Sequence, residues 1–283
     1  MDFLRPSTVE DALALKAEHP DALPIAGGTD VMVELNFDVR RPPALLDLGR
    51  VAELAEWRRT DGHIRLGANV PYARIITELA ETLPGLAMAA RTVGSPQIRN
   101  RGTVGGNLGS ASPAGDAHPP LLATTADVEI ASVRGTRTVR VREFFTGPKR
   151  SVLEPDELIT AVTVPVRQGP QQFAKVGTRN AMVIAVCSFA VTIDVARRTV
   201  GTGIGSAGPT PLRAPEAEKL AGAELPWGSR DPVPDTVSRE FGELVAAAAR
   251  PIDDVRGSAA YRKHALSVLA RRTLGWAWQE VTD

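Results

Sequence analysis

"IAGGTD", residues 25–30, stands between Pro24 and the apolar run VMVEL at residues 31–35. The order reads as a short buried strand, a glycine pair, and a helix start that Thr29 or Asp30 can cap. Successive backbone N–H groups at such a turn point outward and suit an anion. The hexamer alone also suits an ordinary glycine turn ahead of a capped helix. A second segment, RNRGTVGGNLGSASPAGD at residues 99–116, carries five glycines. Between Gly102 and Leu108 its one bulky apolar side chain is Val104, so it cannot build core. Its composition predicts a loop wrapping an extended polar ligand. Backbone N–H groups and hydroxyls would reach the ligand's oxygen atoms, and Arg99 and Arg101 would flank it.

A third glycine run is a decoy. Gly203-Ile204-Gly205-Ser206-Ala207-Gly208 fits G-x-G-x-x-G by letters, but Pro209 and Pro211 follow at once. Proline removes N–H donors and pushes the preceding residue out of the helical region. No helix can then start inside the glycines, as a dinucleotide fingerprint requires. These glycines are expected to mark a strand end and turn.

The 283 residues suffice for one large domain or two ordinary ones, and 43% hydrophobic composition can bury a substantial core. A formal net charge of zero argues against bulk electrostatic affinity for nucleic acid or an anionic membrane. No apolar stretch approaches a bilayer span, and MDFLRPSTVEDALALK lacks the apolar centre of a signal peptide. The expectation is a soluble, cytoplasmic protein with no membrane insertion. The single cysteine, Cys187, excludes an internal disulfide and cannot by itself hold an iron–sulfur cluster or a cysteine-rich zinc site. It lies in the apolar run VIAVCSFAV and reads as core filler. His19, His63, His118 and His264 are isolated, and no metal site is expected.

Along the chain, Ser7 or Thr8 caps a helix over TVEDALALKAEHP. ALPIA, PALLDLG and HIRLGANV read as strands, and residues 71–94 as helix interrupted at Pro84-Gly85. ADVEIAS and RTVRVREFF form a hairpin around Gly135, and DELITAVTVP is a strand ending at Pro165. VRQGPQQ reads as a linker, which places a boundary near residue 170. Beyond it, residues 181–195 and 199–208 are strand-like. Residues 251–281 are mostly helical, with Asp253-Asp254 as cap and Tyr261, Ala265, Val268, Leu269 and Arg272 on the packed face. Short strands and helices without regular strand–helix alternation predict an α+β fold rather than a doubly wound sheet.

The two glycine segments, PIAGGTDVMVEL and RNRGTVGGNLGSASPAGDAHPPLLA, together resemble the paired flavin motifs of the FAD-binding medium subunit of molybdenum hydroxylases. That group includes xanthine dehydrogenase and carbon monoxide dehydrogenase. The resemblance continues in order through LEPDELITAVTVP, FAKVGTRNAMVIAV and IGSAGPTPLRAPEAE to DVRGSAAYRKHALSVLARR. It runs closest to bacterial xanthine dehydrogenase FAD subunits. It implies a two-lobed FAD-binding domain of the vanillyl-alcohol-oxidase/PCMH type at residues 1–170. An α+β C-terminal domain with an antiparallel sheet and helices follows at 171–283.

By the same resemblance, Ile25, Ala26, Gly27, Gly28, Thr29, Asp30 and Val31 grip the FAD pyrophosphate. Thr103, Val104, Gly105, Gly106 and Asn107 approach it from the other side. Asp116 is implied near the adenosine end, Leu158 and Val93 as cofactor contacts, and Lys175 and Ile184 near the isoalloxazine ring. Without the family, Lys175 reads as an exposed strand lysine and Asp116 as a turn cap. The implied partners are a large molybdenum-cofactor subunit and a small subunit with two-iron iron–sulfur clusters. The implied task is electron transfer to NAD⁺ or another acceptor, with a purine such as xanthine oxidised on the large subunit. The alternatives are a carbon monoxide dehydrogenase-type subunit that reduces quinone and a flavin-free scaffold of the same fold.

Overall fold

The computed structural model describes residues 1–282. Its first fifty residues alternate strand and helix: β1 (Asp2–Leu4), α1 (Val9–Glu18), β2 (Leu23–Ile25), α2 (Val31–Asn36) and β3 (Ala44–Asp47). The three strands form a parallel sheet in the order β1-β3-β2. Leu45 sits opposite Phe3 on one side and Leu23 on the other. This corrects the expectation of no strand–helix alternation. Strands of three or four residues are too short to show a period, and β1 has no signal of its own. Thr8 caps α1 by accepting from the Asp11 N–H at 3.0 Å. Ala12, Leu46, Leu48, Leu54 and Leu158 make the small core beneath this sheet.

A second layer follows. It comprises β4 (Trp57–Thr60), β5 (His63–Gly67), α3 (Tyr72–Glu78), α4 (Pro84–Thr92), α5 (Pro96–Arg101), α6 (Val104–Ser110) and α7 (His118–Ala123). β6 (Asp127–Ser132), β7 (Gly135–Arg140), α8 (Val141–Phe144), the hairpin β8 (Phe145–Gly147) with β9 (Arg150–Ser151), and β10 (Leu158–Pro165) complete it. The five-stranded antiparallel sheet runs β4-β5-β10-β6-β7. Ile64, Leu66, Leu86, Leu108, Leu121 and Val162 fill the space between this sheet and its helices. Pro84 sits in the first turn of α4, where its missing N–H has no helical partner to lose. It therefore starts the helix that sequence reading treats as interrupted.

The third layer is the antiparallel sheet β11 (Gln171–Val176), β12 (Cys187–Asp194) and β13 (Thr199–Gly205). Three helices cover it: α9 (Pro215–Glu224), α10 (Asp235–Ala248) and α11 (Ala259–Thr282). Every residue of β12 is buried, Cys187 included, and burial pushes that thiol up to about 12. The helices pack on one face, where Phe189, Val191, Ile204, Phe241, Leu266 and Leu274 form a core. α7 lies across the other face.

Gly201 and Gly203, the latter the first glycine of the decoy, explain that second contact. A Cβ on Gly201 would fall 2.1 Å from the Ala123 carbonyl oxygen, and one on Gly203 would fall 2.0 Å from that of Pro119. Both lie inside β13 and let α7 rest directly on the sheet backbone, while the run itself ends the strand at Gly205 and turns after it, as expected. The packed face of α11 also differs from expectation. Arg262, Ala265, Leu266, Ala270, Thr273 and Leu274 are buried, whereas Tyr261 is exposed. Arg262 can face inward because the Val186 and Ser206 carbonyls and Asp254 accept from its guanidinium. Asp253 accepts from the Ala259 N–H at the start of α11. Trp278 packs edge-on to Trp227 and donates to the Asp231 carbonyl at 2.8 Å. Among the described residues, no helix is long and apolar enough to cross a membrane.

Candidate functional site

A cleft of about 340 Å³ opens where α2, α6 and the start of β10 meet. Ala26, Gly27, Gly28, Thr29, Asp30 and Val31 line one side. Thr103, Gly105, Gly106 and Asn107 line another, and Val93 and Leu158 also reach it. Ile25 lies just below in β2, and Val104 is fully buried in the core under α6. Asp116, Lys175 and Ile184 are not on its walls; Ile184 is 53% exposed.

The glycines fix how closely the two segments approach. A Cβ on Gly27 would stand 1.8 Å from the Arg101 carbonyl oxygen and 3.0 Å from the Gly102 nitrogen. Only a residue without a side chain lets the first segment touch the backbone of the second. Gly28 has φ of +75°, a left-handed conformation that favours glycine. Gly105 lies so close to Ala68 that a Cβ would meet its methyl at 2.6 Å. At Gly106, by contrast, a Cβ would find only the Thr103 hydroxyl oxygen, at 3.1 Å.

The two segments spend their amides differently. In the first, helical bonding begins with the Met32 N–H donating to the Gly28 carbonyl at 3.0 Å. The amides of Thr29, Asp30 and Val31 lie ahead of that bond and stay free of the helix ladder. Asp30 occupies the cap position without making a capping hydrogen bond. The second segment is not the extended loop its composition suggests: residues 104–110 are α6, capped by Thr103, which accepts from the Gly106 N–H at 2.9 Å. Gly105 donates to the Ala68 carbonyl, and Asn107 to that of Thr103. This side therefore offers close approach and the Asn107 side chain more than free amides. The Asn107 side-chain oxygen is buried with no hydrogen-bond partner among the described residues. A cleft with unspent amides and an orphaned amide oxygen is a cradle for a polar ligand.

The charged residues of the lining are mixed, with Arg40 and Lys149 on the rim beside Asp30, Glu34 and Glu157. Lys149 pairs with Glu34 at 2.9 Å. Arg99, expected to balance ligand charge, instead donates to the Val93 and Gly94 carbonyls. An anion held here depends on backbone dipoles rather than an excess of cations.

Asp116 and Lys175 form one buried ion pair at 2.6 Å, and the Lys175 ammonium also donates to the Thr92 carbonyl. Both side chains are under one-tenth exposed. Burial pushes the Asp116 carboxyl up, while Lys175 and Thr92 pull it back. The expectation set these two at opposite ends of the cofactor. The pair is a single feature, tying β11 to the segment between α6 and α7. Sequence reading gave no sign of it, because 59 residues separate the partners. It also missed Asn69, in the turn after β5, and Tyr72, at the start of α3, which line the cleft. A tyrosine after proline at a helix start carries no ligand signal.

His118, at the start of α7, is fully buried with its Nε2 3.2 Å from the Asn107 carbonyl. Burial lowers it to about 4, so it stays neutral and anchors α7 to the backbone of the second segment.

Comparison with known proteins finds two family matches along the chain. The FAD binding domain in molybdopterin dehydrogenase matches residues 1–167. The CO dehydrogenase flavoprotein C-terminal domain matches residues 172–277. The nicotine 6-hydroxylase medium subunit of Paenarthrobacter nicotinovorans is 34% identical, covering 96% of this chain and 95% of that one. A putative xanthine dehydrogenase FAD-binding subunit of Escherichia coli K12 is 31% identical, covering 97% and 95%. In reconstituted CO dehydrogenase from Oligotropha carboxidovorans, one chain superposes with a TM-score of 0.90 at 28% identity, covering 99% and 98%. Fold, cleft and relatives agree: the chain belongs to the FAD-binding flavoprotein subunits of the molybdenum hydroxylase family.

Proposed function

We propose that this chain binds FAD extended through the cleft, with the diphosphate between Gly27-Gly28 and Gly105-Gly106. It relays electrons from the iron–sulfur clusters of a small partner subunit to NAD⁺ or another acceptor. The observation that carries this reading is the convergence of the two glycine segments, with Gly27 seated against the Arg101 carbonyl. The amides of Thr29, Asp30 and Val31 would hold phosphate oxygens, and the Asn107 side chain would meet the cofactor from α6. Ile25 in β2 and the buried Val104 in α6 would anchor the two segments, and Val93, Leu158 and the exposed Ile184 would give apolar contacts. The buried Asp116–Lys175 pair would fix β11 against the segment that carries Asp116. Residues 1–170 would form the FAD-binding domain and residues 171–283 the C-terminal domain.

When bound, FAD would supply the redox chemistry, storing two electrons between the partner's clusters and the acceptor. The chain's own residues bind it, orient it and keep water from its diphosphate. Substrate oxidation would fall to a large molybdenum-cofactor subunit, and the motif order shared with xanthine dehydrogenase flavin subunits supports a purine such as xanthine.

The test is a visible absorbance spectrum of the purified chain, with heat release and chromatographic identification of the cofactor. Stoichiometric FAD is the expected result. A colourless chain that takes up no added FAD overturns the proposal in favour of a scaffold.

A further inference from the structure

Tyr72 stands at the junction of the two glycine segments. Its backbone N–H donates to the Gly102 carbonyl at 3.0 Å, and Pro71 forms an antiparallel bridge with Thr103. A Cβ on Gly102 would lie 3.5 Å from the tyrosine ring. Gly102 is the residue whose nitrogen Gly27 approaches from the first segment. The ring thus packs where both segments meet, and Tyr72 is part of the cleft wall.

Tyr72 is 2% exposed, yet its hydroxyl has no hydrogen-bond partner among the described residues. A buried hydroxyl left unpaired loses its hydration without compensation, so phenylalanine would suit the packing better. Burial pushes the phenol well above its ordinary value, and the negative charges of Asp116 and Asp30 act in the same direction. The group therefore keeps its proton and is a donor at neutral pH. No acceptor of the described residues lies within hydrogen-bond distance of the hydroxyl, and a ligand seated in the cleft that Tyr72 lines can supply one.

We propose that the Tyr72 hydroxyl donates a hydrogen bond to an oxygen of the FAD diphosphate where it passes between the two glycine segments. This rests on the assignment of the cleft to FAD. The phenol serves the ligand and not the fold, and that separates two measurements that usually move together.

The experiment compares the full-length chain with Tyr72→Phe, both stripped of cofactor. FAD affinity is read from quenching of flavin fluorescence on titration, and cofactor-free stability from urea unfolding. Tyr72→Phe keeps the ring and removes only the unpaired oxygen. The cofactor-free variant is expected to unfold at the same or higher urea, while its FAD dissociation constant rises about tenfold. An unchanged dissociation constant overturns the hydrogen bond to FAD while leaving the cleft assignment standing. A cofactor-free variant that unfolds at lower urea also overturns it, because the hydroxyl then serves the fold. Failure of the unaltered chain to bind FAD defeats the cleft assignment itself.

Discussion

Gly27→Ala is the sharpest single test of the cradle. Contact with a Cβ becomes ordinary at 3.4 Å, whereas the added methyl would sit 1.8 Å from the Arg101 carbonyl oxygen. One segment must retreat by about 1.6 Å. Both contacting groups are backbone, so no side chain can rotate to relieve the overlap. The Gly27 φ lies outside the left-handed region, so alanine is conformationally allowed and the damage comes from the contact alone. Overpacking of this kind costs roughly 1–3 kcal/mol of stability. The effect on cofactor affinity should be larger. A retreat of that size pulls the Thr29–Val31 amides beyond hydrogen-bond range of a diphosphate seated against the second segment. Loss of even one or two charge-assisted hydrogen bonds, each worth about 1.5–3 kcal/mol, raises the FAD dissociation constant on the order of a hundredfold. Urea unfolding of the cofactor-free chain and FAD titration followed by flavin fluorescence measure the two effects. A variant that matches the unaltered chain in both would show that the segments do not meet at Gly27 and Arg101.

Gly106→Ala should separate the same quantities the other way. Its Cβ meets only the Thr103 hydroxyl oxygen, and alanine gains up to about 1 kcal/mol of helix propensity over glycine. The cofactor-free chain should hold or gain stability while FAD binds more weakly; equal FAD affinity would remove Gly106 from the cradle. Lys175→Ala leaves the Asp116 carboxylate buried without its partner, and loss of roughly 3–5 kcal/mol is expected. The double variant Lys175→Met, Asp116→Leu should recover most of that in a thermal melt, and no recovery would refute the pairing. The His118 imidazole titrates near 4 when folded against an ordinary 6.5, so the unfolded chain binds the extra proton between those values. The stability neutral His118 provides is complete above about pH 6.5 and is lost as pH falls through about 4. His118→Gln should flatten that part of the urea midpoint against pH, and an unchanged profile would contradict a buried neutral histidine.

The sequence by itself determined which two segments meet at the cleft. Gly27-Gly28 and Gly105-Gly106 are legible because glycine in a run without core-forming side chains has few other uses. It also gave the apolar strands around Cys187 and the Thr8 cap, since these depend on neighbours within a turn or a strand. Contacts between distant residues were not legible. The Asp116–Lys175 pair and the inward Arg262 join segments far apart in the chain, the Tyr72 hydroxyl is buried by such contacts, and no local period records any of them. The glycines of β13 show the limit clearly. Gly203 and Gly205 supply letters of a nucleotide motif, yet what requires Gly203 is the Pro119 backbone of α7, 84 residues earlier, lying against the strand. A missing side chain can be read from sequence, but what occupies the space it leaves is decided only when the chain folds back on itself.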